Sequence, residues 1–263
     1  MQKMKILKNR DHRTLNRSLR LERWYRTRLK QVAEIVNLII RNNWNPADPS
    51  GSIDRISDAL KTYGGELGSW SRLIAREFLG KAAENDWSTW REISHLLSGA
   101  ERREIETLES DPTFQEMIDL EAELITSLPL EAAARAQEIA RQSMYDAYRF
   151  EHIIDSINVL GDITEGRATL IARTESSRAR TEFTRLRAEK IQSPGFIWRT
   201  VGDGTVRPMH QRLNGKYFDW DDPPICDYQR GEPRRALPGC IWNCRCYALP
   251  VIPKTQYEID DET

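Results

Sequence analysis

Two neighbouring pieces of sequence decide the fold of this chain: FIWRTVGDGTVRPMH at residues 196–210 and PGCIWNCRCYALPV at residues 238–251. Glycine, proline and asparagine recur every few residues in both pieces, which is typical of turns that join short strands. The apolar runs between these turns, at residues 196–198 and 247–251, suit short β-strands. The pattern therefore predicts a small module of strands and turn-rich loops in the last third of the chain.

A long helix over residues 165–192 is predicted to lead into this module. The segment DITE at residues 162–165 has the form of a capping box, which begins a helix. Small hydroxyl side chains lie three and four residues apart along one face, so another segment of chain can approach that face closely. They are Thr174, Ser177, Thr181 and Thr184. Glutamate and arginine between residues 175 and 189 recur at helical spacing and predict a ladder of ion pairs.

The chain before residue 160 is predicted to be mainly helical. Apolar residues recur at helical spacing in residues 14–42 and 52–63, and residues 100–127 are predicted to form a further helix with an interruption at Asp111 and Pro112. The segment GGELG at residues 64–68 predicts a break, after which Ser69 caps the next helix. Pro129 is predicted to begin a further helix over residues 130–157.

These elements predict an α+β fold class with two regions. Residues 1–160 form a mainly helical region, and residues 161–263 form a small module of one long helix with short β-strands and turn-rich loops. No stretch approaches the ~20 apolar residues that a membrane span needs. The N-terminus also lacks the apolar centre of a secretion signal. We therefore expect action in the cytoplasm without a membrane partner.

The charge of the chain is close to zero overall but uneven along the sequence. The whole chain has 39 basic and 40 acidic side chains, whereas residues 1–30 carry 11 basic and 2 acidic ones, a local charge of +9. Such a segment is either a solvated helix face or an arm that meets an acidic partner, protein or nucleic acid. The arginines expected to make this contact are Arg13, Arg17, Arg20 and Arg23.

All four cysteines lie in the C-terminal module, which also contains His210. Thiols stay reduced in the cytoplasm, so clustered cysteines there are more often metal ligands than disulfides. We therefore expect a structural zinc ion, held tetrahedrally by four of five candidate side chains. These are His210, Cys226, Cys240, Cys244 and Cys246. The alternative is a small core of buried thiols, because Cys-x3-Cys-x-Cys is not the usual pair of Cys-x2-Cys turns.

Short motifs follow one another in a specific order between residues 160 and 251. They are IARTE at residues 171–175, WRT at 198–200, DGTVRPMH at 203–210, LNG at 213–215, PG at 238–239 and CRC at 244–246. Together they resemble the phage Mu F-like head morphogenesis family, whose members are also called minor head proteins. The helical first half is similar in character to the variable N-terminal region of that family.

The resemblance implies a minor head protein of a phage or prophage, located in the interior of the virion head and in the host cytoplasm during assembly. Its implied partners are the portal protein, other capsid or scaffold proteins and packaged double-stranded DNA. The recurrent residues of the family correspond here to a structural constellation: Arg173, Glu175, Trp198, Arg207, His210, Gly215, Cys244 and Cys246. Arg173 and Glu175 are two residues apart on the helix, so we expect them to hold two different loops of the module.

A metal-dependent enzyme is the alternative hypothesis, a hydrolase that acts on nucleic acid or on a cell wall and is built on the His/Cys module. Its general base would come from Asp203, Asp221 or Asp222. A nucleobase deaminase is disfavoured because His210 does not begin the His-x-Glu pattern of those enzymes. The near-neutral net charge disfavours a generic DNA-binding protein. No catalytic residue is assigned.

Overall fold

A computed structural model describes residues 11–93, 97–106, 108, 111–145 and 150–253. Within these residues the elements occur in the order α1 (Asp11–Asn43), α2 (Pro49–Glu66), α3 (Gly68–Ile93), α4 (Gly99–Glu106), α5 (Pro112–Tyr145), α6 (Phe150–Lys190), β1 (Gly195–Arg199), α7 (Pro208–Leu213), β2 (Tyr217–Asp219), β3 (Ile225–Gln229), β4 (Glu232–Arg235) and β5 (Tyr247–Pro250). The predicted α+β fold class, with a helical N-terminal region, is confirmed. In the described ranges, every helix is too short or too polar to span a bilayer.

The glycine-rich segment at residues 64–68 contains the predicted break, because α2 ends and α3 begins within it. Ser69 is not the cap of α3, however, since it lies inside that helix. Helical hydrogen bonding starts earlier: the backbone N–H of Ser71 donates to the carbonyl oxygen of Leu67 at 2.7 Å. The predicted cap is therefore wrong.

Pro129 does not begin a helix, as predicted, but lies inside α5. A proline removes one backbone hydrogen bond from a helix interior. The apolar side chains of Ile125 and Leu128, in the turn before it, are fully buried and offset that cost. Close to the proline, α2 approaches α5 tightly, because a Cβ atom on Gly64 would lie 2.8 Å from the Leu130 side chain. Packing between helices therefore outweighs the preference of Pro129 for the start of a helix.

The segment at residues 162–165 is not a capping box, because α6 runs through it without interruption. The hydroxyl of Thr164 donates to the carbonyl oxygen of Leu160, one turn earlier in the same helix, at 2.9 Å. α1 approaches α6 here so closely that a Cβ atom on Gly161 would collide with the Asn37 side chain. The predicted helix start is wrong because this contact holds the chain helical across the polar segment.

Three of the strands, β1, β2 and β5, form an antiparallel sheet in the order β2-β1-β5. Trp198 of β1 pairs with Ala248 of β5. The two strands that the apolar runs predict are therefore confirmed. β3 and β4 form a separate hairpin, and its turn holds Arg230 and Gly231 at φ values of 53° and 87°. Two consecutive positive φ values are the mark of the tight turn that suits a twisted hairpin.

Contacts between Cα atoms divide the chain into two compact units. One unit consists of Met1–Glu22, Leu79–Phe114 and Arg173–Thr263, and the other of Arg23–Phe78 and Gln115–Ala172. The core of the first unit joins the strands to helical side chains such as Trp90 and Ile105. The core of the second is aliphatic and helical. The predicted division between residues 160 and 161 stays a prediction.

Candidate metal centre

Two short segments bring a histidine and two cysteines together. α7 begins at Pro208, whose fixed φ suits a first helical turn, and its His210 side chain is buried. Cys244 and Cys246 flank Arg245 just before β5 begins. Side chains two residues apart in extended chain point to the same side, so both sulfurs face the same way.

The ligand atoms of these three buried side chains converge. Nδ1 of His210 lies 3.5 Å from Sγ of Cys244 and 3.5 Å from Sγ of Cys246, and the three atoms all lie within 4.8 Å of one another. The other ring nitrogen, Nε2, lies 3.0 Å from the carbonyl oxygen of Cys226. A carbonyl oxygen only accepts hydrogen bonds, so Nε2 carries the proton and Nδ1 presents its lone pair to the sulfurs.

These distances fit a tetrahedral zinc ion. Zinc binds thiolate sulfur at about 2.3 Å and imidazole nitrogen at about 2.0–2.1 Å, which places the two ligand atoms about 3.5 Å apart. Both nitrogen–sulfur distances in the cluster match that separation. A hydrogen bond from the second ring nitrogen to a backbone carbonyl is also the usual way in which a metal-bound histidine is oriented.

The pKa values of the Cys244 and Cys246 thiols are shifted in opposite directions. The hydrogen bond with Cys246 lowers the pKa of Cys244 against the effect of burial. The same bond and burial raise the pKa of Cys246. The buried indole N–H of Trp198 favours the Cys246 thiolate, and it has no well-aligned hydrogen-bond partner among the described residues. A metal ion that deprotonates both thiols gives this N–H an anionic acceptor.

The other two cysteines do not join the cluster. Sγ of Cys226 donates to the carbonyl oxygen of Arg234 at 3.6 Å, and burial raises the pKa of this thiol to about 11. Sγ of Cys240 lies 4.0 Å from the carboxylate of Glu182 on α6, and burial raises its pKa as well. Of the five predicted ligand residues, the structure therefore brings together three, and leaves two as protonated thiols.

Trp198, Arg207 and Gly215 surround the cluster. The Trp198 ring lies edge-on to His210, with the ring centroids 5.3 Å apart. Arg207 donates to the carbonyl oxygen of Trp242 at 2.9 Å, which ties the start of α7 to the loop that carries the cysteines. Gly215 has a φ of 81°, which glycine adopts without strain, and its N–H donates to the carbonyl oxygen of Trp198 at 2.8 Å.

The hydroxyl-bearing face of α6 receives the loop between β4 and the cluster. The hydroxyl of Thr181 donates to the carbonyl oxygen of Pro238 at 2.6 Å, and the backbone N–H of Asn243 donates to the hydroxyl of Thr174 at 3.3 Å. Between these two bonds the backbone of Gly239 approaches α6 closely. The predicted close approach at this face is confirmed.

The family described as phage Mu protein F like protein matches residues 126–249 of this chain. This segment is similar to that family. The resemblance predicted from the short motifs is thereby confirmed. The matched residues include the whole His/Cys cluster and the face of α6 that carries its loop.

The chain is also similar to an uncharacterized protein of Haemophilus influenzae. The two are 26% identical over 274 residues, which cover 95% of this chain and 59% of that protein. The chain thus spans less than two thirds of the length of this curated relative. No solved structure gives a significant match to the chain.

Arg173 and Glu175 of α6 contact different partners. Arg173 Nη1 donates to the side-chain oxygen of Asn243 at 3.3 Å, and its Nε lies 3.6 Å from the carboxylate of Glu22. It therefore holds a loop, as predicted. Glu175 is buried and pairs with Arg178 of its own helix at 3.2 Å. The expectation that Glu175 holds a loop is wrong, because its carboxylate is used within α6.

The predicted ladder of ion pairs is present at two of its steps. Besides the Glu175–Arg178 pair, the Nε atom of Arg185 lies 2.6 Å from the Glu189 carboxylate. Both pairs have the three- or four-residue spacing that brings side chains together on a helix.

A surface pocket of about 140 Å³ adjoins the cluster. All three cluster residues line it, together with Arg207 and Arg245. Arg245 makes an ion pair with Asp203 at 2.6 Å. Hydrogen bonds from Thr205 and the charge of Arg245 lower the pKa of Asp203, so its carboxylate is ionised at neutral pH. One wall of the pocket is thus a fixed network of charges.

A buried ion pair that the sequence did not predict lies in the same compact unit as the strands. Arg187 of α6 donates to the carbonyl oxygens of Ile105 at 2.8 Å and Ala83 at 3.0 Å. Its Nε lies 3.0 Å from the carboxylate of Asp86, which also accepts from the hydroxyl of Thr184 at 2.7 Å. The only sequence feature that points to burial of Arg187 is its position next to the apolar Ala188. Helical spacing alone does not identify Asp86 as its partner.

The arginines predicted to contact a partner lie at the start of α1. Arg20 and Arg23 have exposed side chains. The side chains of Arg13 and Arg17 lie outside the part of the chain that the structure describes. The predicted contact with a partner stays a prediction.

Proposed function

We propose that this chain is a minor head protein of a phage or prophage that takes part in head morphogenesis and binds the portal inside the virion head. The match of residues 126–249 to the phage Mu F-like family carries the proposal. The hydrogen bonds that hold the loop carrying the cysteines to α6 support a scaffolding role. Portal protein, other capsid or scaffold proteins and packaged double-stranded DNA are the proposed partners.

The proposed role of the cluster is to hold a zinc ion that fixes loops of the strand region to one another. The ion would join α7, through His210, to the segment before β5, through Cys244 and Cys246. Small modules with few strands gain stability from such a cross-link. The support is geometric: two nitrogen–sulfur distances of 3.5 Å and an imidazole oriented by a backbone carbonyl.

Deletion of the coding region from the phage or prophage tests the proposed function. We expect mass spectrometry to detect the wild-type protein in purified heads. After deletion, we expect electron microscopy to show fewer DNA-filled heads. Expression of the intact chain in trans restores the heads. Normal numbers of infectious, DNA-filled heads from the deletion strain would overturn the proposal.

The start of α1 is the proposed docking segment, through Arg13, Arg17, Arg20 and Arg23. Residues 1–30 have a local charge of +9, which attracts either phosphates or an acidic portal surface. Contacts with phosphates release counterions, so DNA binding falls steeply with salt, by about one unit of logarithmic slope for each contact. A contact with an acidic portal surface weakens less steeply with salt, because a protein surface lacks the condensed counterion layer of DNA.

Co-sedimentation with portal protein and with DNA, each at two salt concentrations, separates these partners. A variant with Arg20→Gln and Arg23→Gln should bind more weakly to the true partner. The matched control carries Arg55→Gln and Arg141→Gln, which remove two exposed arginines from α2 and α5. Equal binding by both variants would remove the docking role of α1.

A metal-dependent hydrolase is favoured by one observation, the pocket beside the cluster. The three aspartates that sequence analysis offers as a general base are all close to arginines. Asp203 pairs with Arg245, Asp222 with Arg235, and Asp221 lies 3.7 Å from Arg185. A carboxylate held in an ion pair is a weak base, so the head protein is the better supported function.

A further inference from the structure

We infer that the zinc ion proposed above takes only three ligands from this chain and binds a carboxylate from outside at its fourth position, through the adjoining pocket. This inference rests on the proposed zinc site and concerns its coordination. It predicts an exchangeable ligand where a purely structural site would be closed.

Three potential ligand side chains converge in the part of the chain that the structure describes. Structural zinc sites use four protein ligands, whereas sites with three leave one position for water or another ligand. His210, Cys244 and Cys246 form the group of potential ligands in the described residues. The thiol of Cys226 is directed to the Arg234 carbonyl oxygen, and that of Cys240 to Glu182 on α6. Neither sulfur is directed at the cluster.

The pocket beside the cluster has room for a small ligand. All three ligand residues line it, so a ligand that enters the pocket can reach the cluster. Its volume of about 140 Å³ is below the ~300–1,000 Å³ of sites for drug-sized molecules. A small anion or one acidic side chain is the size of ligand that this space admits.

The charges at the pocket wall favour an anionic ligand. A zinc ion with two thiolates is neutral, so the remaining charges of the pocket select the ligand. Arg245 is balanced by Asp203, whereas Arg207 is held by a neutral carbonyl oxygen and keeps its positive charge at the pocket wall. The planar fork of a guanidinium matches the two oxygens of a carboxylate. An anionic carboxylate is therefore preferred over a neutral donor.

The intact 263-residue chain with Co²⁺ in place of zinc provides the test, because the visible spectrum of Co²⁺ reports its ligands. We expect acetate to change the spectrum in a saturable way and acetamide, its neutral analogue, to leave it unchanged. Arg207→Gln should weaken acetate binding roughly ten-fold while Co²⁺ still binds. Arg212→Gln is the matched control, because Arg212 is an exposed arginine of the same helix and should bind acetate as the wild type does.

X-ray absorption of the zinc-loaded wild type distinguishes the possible failures. Two sulfur ligands per zinc support the inference. Three or four sulfurs would mean that Cys226 or Cys240 closes the site, which overturns the inference and leaves the zinc site intact. Protein that binds no zinc overturns both. An unchanged spectrum with acetate overturns the open position even where two sulfurs are found.

The carboxylate has two possible sources, a free anion or an acidic side chain of a head partner. A short blocked peptide with one central aspartate separates them in the same Co²⁺ assay. Tighter binding of the peptide than of acetate assigns the position to a partner side chain. Equal or weaker binding of the peptide assigns it to a free anion.

Discussion

The hydroxyl of Thr181 on α6 donates to the carbonyl oxygen of Pro238, which lies 2.6 Å away in a buried position. This bond fixes the loop that leads to Cys244. We expect Thr181→Val to lower the free energy of unfolding by about 1–3 kcal/mol, because it keeps the shape and leaves a buried carbonyl without a partner. The control is Thr62→Val, because the exposed hydroxyl of Thr62 bonds to the Asp58 carbonyl oxygen of its own helix. Equal losses for both variants in denaturant unfolding would contradict the role of Thr181.

Two glycine-to-alanine substitutions should change stability in opposite directions. Gly239 has a φ of 86°, and a Cβ atom there would lie 2.9 Å from the carbonyl oxygen of Ser177. Gly239→Ala should therefore lower the free energy of unfolding by about 1–3 kcal/mol. Gly65 lies in α2 with open space around its Cα, so Gly65→Ala should raise stability by up to about 1 kcal/mol. Melting of both variants by circular dichroism checks the contrast, and a stable Gly239→Ala protein would refute it.

Two arginines of α6 should differ sharply in their contribution to stability. The side chain of Arg187 is 2% exposed and that of Arg173 is 41% exposed. Arg187→Ala leaves Asp86 buried without its partner and should cost about 3–5 kcal/mol. Arg173→Ala breaks a half-exposed contact and should cost less than about 1 kcal/mol. Denaturant unfolding measures both, and a loss at Arg173 that equals the loss at Arg187 would count against this assignment.

The Asp86 carboxyl should make stability depend on pH. Burial raises its pKa to about 6, against the opposing effect of Arg187. Because the folded-state pKa lies above the unfolded value, protonation favours the folded state. This contribution is complete below about pH 4 and is lost as pH rises through about 6.

Asp86→Asn removes that titration and isolates its effect. The free energy of unfolding of the wild type minus that of the variant should fall by up to roughly 3 kcal/mol between pH 4 and pH 7. The comparison uses the change with pH, so any constant cost of the substitution cancels. A difference that stays constant, or grows with pH, would show that the pKa is not raised.

Sequence alone predicted the features that depend on local pattern. The strands that contain Trp198 and Ala248 follow from short apolar runs between turns. The close approach at Thr181 follows from small side chains at helical spacing, because such a face leaves room for a backbone. The ordered motifs pointed to the family that residues 126–249 match.

The features that sequence did not predict depend on contacts between distant residues. Pro129 sits inside α5 because buried neighbours outweigh one lost hydrogen bond. The segment around Thr164 is helical because α1 packs against it. Arg187 pairs with Asp86, which is distant from it in the sequence. Cys226 and Cys240 contact acceptors outside the cluster, and local sequence spacing does not specify those acceptors. Each outcome was set by tertiary packing, which overrides local propensity.

The most direct test is the zinc content of the intact 263-residue chain, measured by inductively coupled plasma mass spectrometry after purification without chelator. The account predicts one zinc ion per chain in the wild type and in the Cys226→Ser and Cys240→Ser variants. It predicts loss of that ion in the Cys244→Ser and Cys246→Ser variants, with circular dichroism as the check on their folding. Folded wild-type protein without stoichiometric zinc would contradict the account.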